Sequence, residues 1–177
     1  MGKKIVAYSS YEVSAAVASV ADTTAMGLLF APPSVTLHPL AMGLTRLEII
    51  LTTAVQTKVG LLIPATKGTV SGPGTNNGIL VSSGGGGYGD NSGNVGTLAT
   101  AWSVAPTFSG APVYLRSAVL PAIIGASLVW EWPDDDPLVS VLVASSNLGL
   151  ALRNITGGAS AAVIINARWI NINPNLP

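Results

Sequence analysis

Short runs in which apolar and polar residues alternate are the main pattern of this sequence. In residues 46–51, the odd positions are leucine or isoleucine, and Arg46 and Glu48 occupy two of the even positions. Further along, Leu128, Trp130 and Trp132 share one face of a run, and Glu131 lies on the other. Period-two alternation is typical of a β-strand with one buried face. The pattern therefore predicts strands whose core face can be identified from the sequence.

Further runs predict more strands, and residues that favour turns separate them. Residues 58–63 form a run that ends at Pro64. Residues 138–144 form a continuous run that is rich in valine, and residues 148–152 and 163–169 alternate again. Gly, Pro, Ser, Thr and Asn recur between these runs and leave little room for amphipathic helices. We therefore predict an all-β fold.

Three segments depart from the strand pattern. Residues 13–21 are rich in alanine, which makes a helix an alternative there. Residues 67–96 are dominated by Gly, Ser, Asn and Thr, including four consecutive glycines at 84–87, and predict a long glycine-rich loop. Residues 171–177 predict a C-terminal tail. We expect a single β-sandwich domain over residues 1–170 with that tail attached, because one core of this size fits one domain.

Charge is scarce, and its balance excludes one class of function. Only 9% of the 177 residues are charged, against about a quarter in a typical soluble domain. Eight basic and eight acidic residues give a formal net charge of zero. No overall field then attracts the chain to nucleic acid or to an anionic membrane surface. The chain also has no cysteine, which excludes disulfides, thiolate nucleophiles and cysteine-based zinc sites.

The apolar composition does not predict a membrane span. The longest uncharged stretches, residues 117–130 and 138–152, are interrupted by Pro, Gly, Ser and Asn. Both fall short of the roughly 18 apolar residues that a spanning helix needs. Polar residues also interrupt the amino-terminal region where a signal peptide would be apolar, so we expect synthesis in the cytoplasm.

Three consecutive aspartates form the densest acidic cluster. Asp134, Asp135 and Asp136 stand between Pro133 and Pro137, which is ordinary composition for a solvated turn. Carboxylate oxygens at this density are also ligands for Ca²⁺ or Mg²⁺, or a contact for a basic partner. The glycine and the glutamate of a calcium-binding EF-hand loop are absent from this run.

Aromatic residues offer a second candidate site. Trp130, Trp132, Trp102 and Tyr88 are possible stacking platforms for a sugar ring, although tryptophans on one face of a strand are commonly core residues. Sugar hydrolysis needs two carboxyl groups about 5–10 Å apart, and Glu48, Glu131 and Asp90 are the candidates. Nothing in the sequence places two of them together.

The remaining motifs give little support to catalysis. His38 is the single histidine, and no Gly-x-Ser-x-Gly sequence accompanies it. The glycines at 84–87 are followed by Tyr88, Gly89 and Asp90, where a phosphate-binding loop needs Lys and Ser or Thr. Asn154 begins an Asn-x-Thr glycosylation sequon, which has no meaning in a chain without a secretory signal.

The order of these features resembles the small tailed-bacteriophage virion proteins of the head-decoration, or auxiliary capsid (cement), type. The resemblance is carried by the following segments: residues 5–9, 45–53, 59–65, 114–118, 128–133, 148–154 and 160–171. It is a resemblance of pattern over most of the chain, without an invariant motif. The acidic terminus that often ends the last strand in that family is replaced here by Ile170 and Asn171 after Trp169.

That resemblance implies a jelly roll and a non-enzymatic role without a cofactor. It implies a homo-oligomer, a trimer on the capsid surface of a virion, that contacts the major capsid protein and braces neighbouring capsid subunits. The low charge agrees, because neutral and apolar surfaces favour association. The alternatives are a receptor- or carbohydrate-binding module of a head or tail fibre, and a hydrolase built on His38 and one carboxylate.

Overall fold

The computed structural model describes residues 9–30, 41–70, 75–77, 79–83, 97–134, 136–140 and 148–172. Within these residues the chain is all-β, as predicted, and contains no helix. The strands are β1 (Ser9–Val20), β2 (Ala25–Phe30), β3 (Ala41–Leu51), β4 (Thr57–Leu62), β5 (Thr69–Val70), β6 (Thr75–Asn77), β7 (Ile79–Ser83), β8 (Thr97–Ala99), β9 (Trp102–Val104), β10 (Arg116–Leu120), β11 (Ser127–Glu131), β12 (Leu138–Ser140), β13 (Leu150–Asn154) and β14 (Ala161–Ile172).

These strands form two six-stranded antiparallel sheets and one two-stranded sheet. In the first sheet the order is β11-β3-β14-β1-β7, and β12 also pairs with β3. In the second sheet the order is β10-β4-β13-β2-β8-β6. The small sheet pairs β5 with β9.

Eight of the strands pair in a nested order. Taken along the chain as β1, β2, β3, β4, β10, β11, β13 and β14, the first pairs with the last and the second with the seventh. The third pairs with the sixth and the fourth with the fifth. The outermost and the third pair lie in the first sheet, and the other two pairs lie in the second. Most of these contacts therefore join residues far apart in the sequence.

The two six-stranded sheets contribute to one hydrophobic core. In β3 the predicted alternation is confirmed: Leu47, Ile49 and Leu51 are buried, whereas Arg46 is exposed. Buried side chains of both sheets belong to a single cluster that includes Trp130 and Trp169. Tyr11 and Trp169 stack within it, with ring centres 5.9 Å apart. This core carries most of the hydrophobic stabilisation of the described part of the chain.

A smaller hydrophobic cluster lies on the second sheet, around the buried residues Leu28, Leu62, Ala99 and Ala151. Partly buried side chains pack against it from segments outside the eight nested strands: Val70, Trp102, Phe108 and Tyr114, together with Phe30 of β2. Strands β2 and β4 are accordingly buried at nearly every position instead of at every second one. Burial on both faces explains why they do not show a clear period-two pattern.

The predicted alternative of a helix at residues 13–21 is wrong. That segment lies in β1 and in the turn that follows it. Val13, Ala15 and Val17 are buried while the residues between them are exposed, so the burial has the period of a strand. β1 pairs with both β14 and β7, and this pairing overrides the helical propensity of its alanines.

Strands occupy part of the segments predicted as a long loop and as a tail. Strands β5, β6 and β7 occupy parts of residues 67–83, where β6 pairs with β8 and β7 with β1. Small polar residues are tolerated there because backbone pairing needs no large side chain. At the other end, β14 continues to Ile172, opposite Ala41, so Asn171 and Ile172 belong to the sheet. Residues 5–8, 84–96, 141–147 and 173–177 lie outside the described residues.

Candidate interaction surface

Exposed apolar side chains are concentrated in one stretch of the described chain, which contains β10, β11 and the turn between them. Six of the eight large hydrophobic residues that are exposed lie within residues 113–129. They are Val113, Leu115, Val119, Ile123, Ile124 and Val129. Val113 is 83% exposed, and Ile123 and Ile124 are more than 60% exposed at the turn between β10 and β11. We call residues 113–129 the apolar side.

The sequence around this side contains almost no charge. Between Asn91 and Trp130 the single charged residue is Arg116. Exposed apolar groups without interspersed charge are uncommon on a surface that stays in water, and they mark sites of contact with other molecules. The apolar side is therefore the strongest candidate for an interface.

Backbone pairing positions this side at the edges of both large sheets. β10 is the last strand of the second sheet, and β11 ends the first sheet. Along β10, Leu120 is buried and Ala118 packs against the core, whereas Ser117 and Val119 are exposed on the opposite face. Hydrogen bonds from Leu51 N to Ala126 O and from Gly125 N to Leu51 O, both 2.8 Å, fix the turn that joins the two strands.

The single charged residue of the apolar side, Arg116, connects the two large sheets. The guanidinium carbon of Arg116 lies 4.7 Å from the centre of the Trp132 ring. Arg116 belongs to β10, and Trp132 follows β11, so this cation–π contact joins the second sheet to the first. It also occupies one face of the Trp132 ring.

Four charged residues form a row on the exposed face of the first sheet, which also carries Val129 opposite Glu48. Glu12, Arg168, Arg46 and Glu131 are consecutive cross-strand neighbours on β1, β14, β3 and β11, and all four are exposed. Arg46 lies 3.7 Å from a carboxylate oxygen of Glu131 and 3.7 Å from one of Glu48. The structure thus brings Glu48 and Glu131, two of the carboxylates considered for sugar hydrolysis, to one arginine on an open sheet face. The side-chain amide of Asn166 also donates to Glu48 at 3.1 Å.

Asn154 has a structural role that the sequence did not reveal. It is fully buried, and its Nδ2 donates to the carbonyls of Val20 and Ala159, both at 2.9 Å. Its Oδ1 accepts from the Thr156 backbone N–H at 3.1 Å. The amide therefore joins the β1–β2 turn to the β13–β14 turn, and in the folded chain its nitrogen is not accessible to glycosylation.

Asp22 also connects the β1–β2 turn to the β13–β14 turn. Its Oδ2 accepts from Gly158 N–H at 2.9 Å. The hydrogen bond from the Gly157 backbone is the main cause that lowers the pKa of this carboxyl, assisted by Gly158, Thr23 and the nearby Arg153 charge and opposed by desolvation. Gly157 and Gly158 have positive φ angles of 84° and 109°, a conformation that favours glycine.

The structure separates the aromatic residues predicted as stacking platforms. Trp130 is 6% exposed and belongs to the core. Trp132 is half-buried beneath Arg116, and Trp102 is half-buried against the cluster on the second sheet. Tyr88 lies outside the described residues. Trp102 and Trp132 pack against different hydrophobic clusters, and burial of Trp130 makes it unsuitable for stacking on a sugar.

The predicted acidic cluster is a turn. Asp134 and Asp136 are exposed, and the backbone N–H of Asp136 donates to the Pro133 carbonyl at 3.0 Å. Asp135 lies outside the described residues, as does the single histidine, His38. In the described part of the chain, no group of three or more His, Cys, Asp or Glu residues is placed to hold a metal ion. The same residues contain no helix long and apolar enough to cross a membrane.

A void between the two large sheets offers no polar group to a ligand. Its lining consists of a glycine and aliphatic residues: Gly27, Leu29, Leu47, Leu61, Leu98, Leu150, Leu152 and Ile165. Specific ligand sites combine apolar walls with a few placed polar groups, so we regard the void as part of the core.

No family model, curated protein or solved structure matches this chain.

Proposed function

We propose that the chain is a jelly-roll structural protein of a virion, of the capsid-decoration type. The jelly roll is supported by the nested pairing of its eight strands, first with last and fourth with fifth, divided between two sheets that share a core. Eight antiparallel strands in two sheets are the composition of that fold, which occurs in viral capsid proteins and in lectins.

The observation that carries the assembly role is the apolar side. Side chains such as Val113, Ile123 and Ile124 remain largely in water in the single chain, with one nearby charge in the sequence. Covering them with other subunits removes apolar area from water and stabilises the assembly at about 25 cal/mol per Å². A decoration protein has such neighbours on both sides: copies of itself, expected as a trimer, and the major capsid protein beneath.

The distribution of charge gives the proposed subunit an orientation. The row of Glu12, Arg168, Arg46 and Glu131 lies on the open face of the first sheet, away from the apolar residues of β10. In the proposed assembly, this charged row stays in contact with water, and the apolar residues of β10 and of the turn after it are covered. Both faces then have the environment that their side chains favour.

The proposal is tested by co-sedimentation with capsid shells stripped of the chain, together with native mass spectrometry of the purified protein. We expect a homo-oligomer that binds the shells saturably. Replacing Ile123 and Ile124 by Asn should weaken either self-association or shell binding at least tenfold, because it adds unpaired polar groups to an apolar contact. A wild-type monomer that does not bind shells would overturn the proposal.

A receptor- or carbohydrate-binding module has weaker support in the described residues. That function needs accessible aromatic faces or placed polar groups in a concave site. Trp130 is buried and Trp132 is covered on one face by Arg116. A glycan array with a strong signal would favour this alternative over the assembly role.

A further inference from the structure

We infer that the free edge of β10 pairs with the same edge of a second copy of this chain, antiparallel, about a two-fold axis at Ala118. The inference rests on the proposed assembly role and names one contact within it. Pairing in this way would join the second sheets of the two copies into one continuous sheet.

The edge of β10 has little protection against such pairing. One edge of the strand is hydrogen-bonded to β4 along Arg116–Leu120 with no register shift, and no described strand pairs with its other edge. Exposed edges are commonly blocked by proline, a bulge or charged side chains. Within Arg116–Leu120 the strand contains no proline, and its one charged residue, Arg116, is directed at the Trp132 ring. Pro121 follows the strand directly and limits the paired stretch to these five residues.

The residues along this edge are complementary to themselves. A two-fold axis at Ala118 places Ser117 opposite Val119 and Arg116 opposite Leu120, so that no like charges face each other. Continuing the same register beyond the strand brings Leu115 near Pro121. The exposed apolar residues at one end of the edge therefore meet apolar residues at the other end of the second copy.

Because the edge is complementary to itself, its partner is a second copy of the chain and not an unrelated strand. A contact between Leu115 or Val119 and the second copy occurs twice in the pair, once at each end of the edge, because the two copies are related by the two-fold axis. A stable interface buries about 800 Å² per partner around an apolar core, and the exposed Leu115 and Val119 supply apolar contacts of that kind.

A two-fold contact predicts assemblies with an even number of copies. By itself it gives a dimer, and combined with the three-fold contact of the proposed trimer it gives a hexamer or joins trimers on a shell. Native mass spectrometry of the wild-type protein should therefore find dimers or hexamers. A trimer without any even-numbered species would overturn the inference and leave the assembly role standing.

Val119→Glu is the most direct test of the contact. In the single chain, Val119 is opposite Lys58 on β4, so the new carboxylate gains a cross-strand partner and the fold is preserved. In the paired state, two such carboxylates lie diagonally across the axis and repel each other. We expect the dissociation constant for the two-fold contact to rise at least tenfold.

Val104→Glu is the matched control, since Val104 is similarly exposed but lies on β9, away from this edge. Circular dichroism and the melting temperature should show that both variants are folded. Equal effects of the two substitutions on association, or no effect of Val119→Glu, would contradict the proposed contact.

Cross-linking tests the register without disturbing the core. The chain has no cysteine, so Ser117→Cys and Val119→Cys each introduce a single thiol on the exposed face. Mild oxidation of an equimolar mixture should give a disulfide-linked pair of one variant with the other. Each variant alone should cross-link poorly, because its thiols are then diagonal instead of opposite. Cross-linking of each variant alone to the same extent as the mixture would overturn the register.

Failure of the contact can be told apart from failure of the proposed function. Wild-type oligomers that resist Val119→Glu and give no selective cross-link refute the β10 contact alone. A wild-type protein that is monomeric and does not bind capsid shells refutes the assembly role as well.

Discussion

Arg116 lies over the ring of Trp132 and thereby joins the edge strand of one sheet to the edge of the other. The guanidinium carbon is 4.7 Å from the ring centre, and the two residues belong to different segments: Arg116 begins β10, and Trp132 follows β11. This contact is formed at the border of the apolar side. Arg116 is the one charged residue in this part of the sequence, and its guanidinium lies over the Trp132 ring instead of along the free edge of β10.

Arg116→Ala should therefore destabilise the fold modestly and expose Trp132. We expect the free energy of unfolding to fall by about 1 kcal/mol, the usual size of an exposed cation–π contact. Chemical denaturation measures this loss, and tryptophan emission should shift to longer wavelength as the Trp132 ring becomes hydrated. Arg116→Lys should show smaller changes in stability and in emission, because lysine keeps the positive charge. Arg46→Ala removes only exposed ion pairs and should change stability by less than Arg116→Ala. Unchanged emission in Arg116→Ala would contradict the contact.

Gly60→Ala should destabilise the second sheet. A β-carbon on Gly60 would collide with the Tyr114 ring and approach Ile155 Cδ1 to 3.1 Å. Tyr114 is held in place because its hydroxyl accepts from Arg153 at 3.1 Å. Crowding of this kind costs about 1–3 kcal/mol, measurable as a lower midpoint in urea. Gly110→Ala is the control: its β-carbon meets nothing within 4 Å, so stability should stay the same or rise slightly.

Asn154→Ala should be among the most destabilising substitutions at a polar residue. It leaves the carbonyls of Val20 and Ala159 without their donor, and each buried group left unpaired costs about 1–3 kcal/mol. We expect a loss of about 2–4 kcal/mol in equilibrium unfolding.

Asn154→Asp has the same shape but should also destabilise the fold, most strongly at neutral pH. The carboxylate would face two carbonyl oxygens, which raises its pKa in the folded state and favours the protonated form. The penalty should therefore shrink as the pH falls below that raised pKa. A penalty that does not depend on pH would show that the Asn154 side chain is not held between these carbonyls.

Acid should loosen the turn that Asp22 holds. Because hydrogen bonds from Gly157 and its neighbours lower the folded-state pKa of Asp22 below 3.8, its contribution to stability is fully present above that value. The contribution is lost as the pH falls through the lowered folded pKa. Melting temperatures measured between pH 7 and pH 2 should show a smaller acid-induced drop for Asp22→Asn than for the wild type. Parallel curves for the two proteins would contradict this role of Asp22.

The strands and their core faces were predictable where only one face of a strand is buried. In β3 and β11 the alternation in sequence matches the alternation in burial, from Leu47 to Trp130. β1 was ambiguous because its alanines suit either structure, and its partners β14 and β7 decide the outcome. Burial on both faces hides the same signal in β2 and β4, whose outer face is covered by side chains such as Trp102 and Tyr114.

The candidate site was predictable only in part. Low charge indicated a surface that other molecules cover, but not that its exposed apolar residues collect along β10 and the turn after it. Of the aromatic residues predicted as stacking platforms, Trp130 is a core residue, which is the alternative that its position on one face of a strand left open. Asn154 gave no signal, since its partner Val20 is 134 residues away in the sequence.

By itself the sequence determined the all-β class, the core faces of several strands and the scarcity of charge, because each depends on residue type and on neighbours along the chain. Only the tertiary structure decided the nested strand order, the role of Asn154 and the meeting of Arg116 with Trp132. Those features depend on contacts between distant segments, and one stretch of sequence does not specify which distant segment will pack against it.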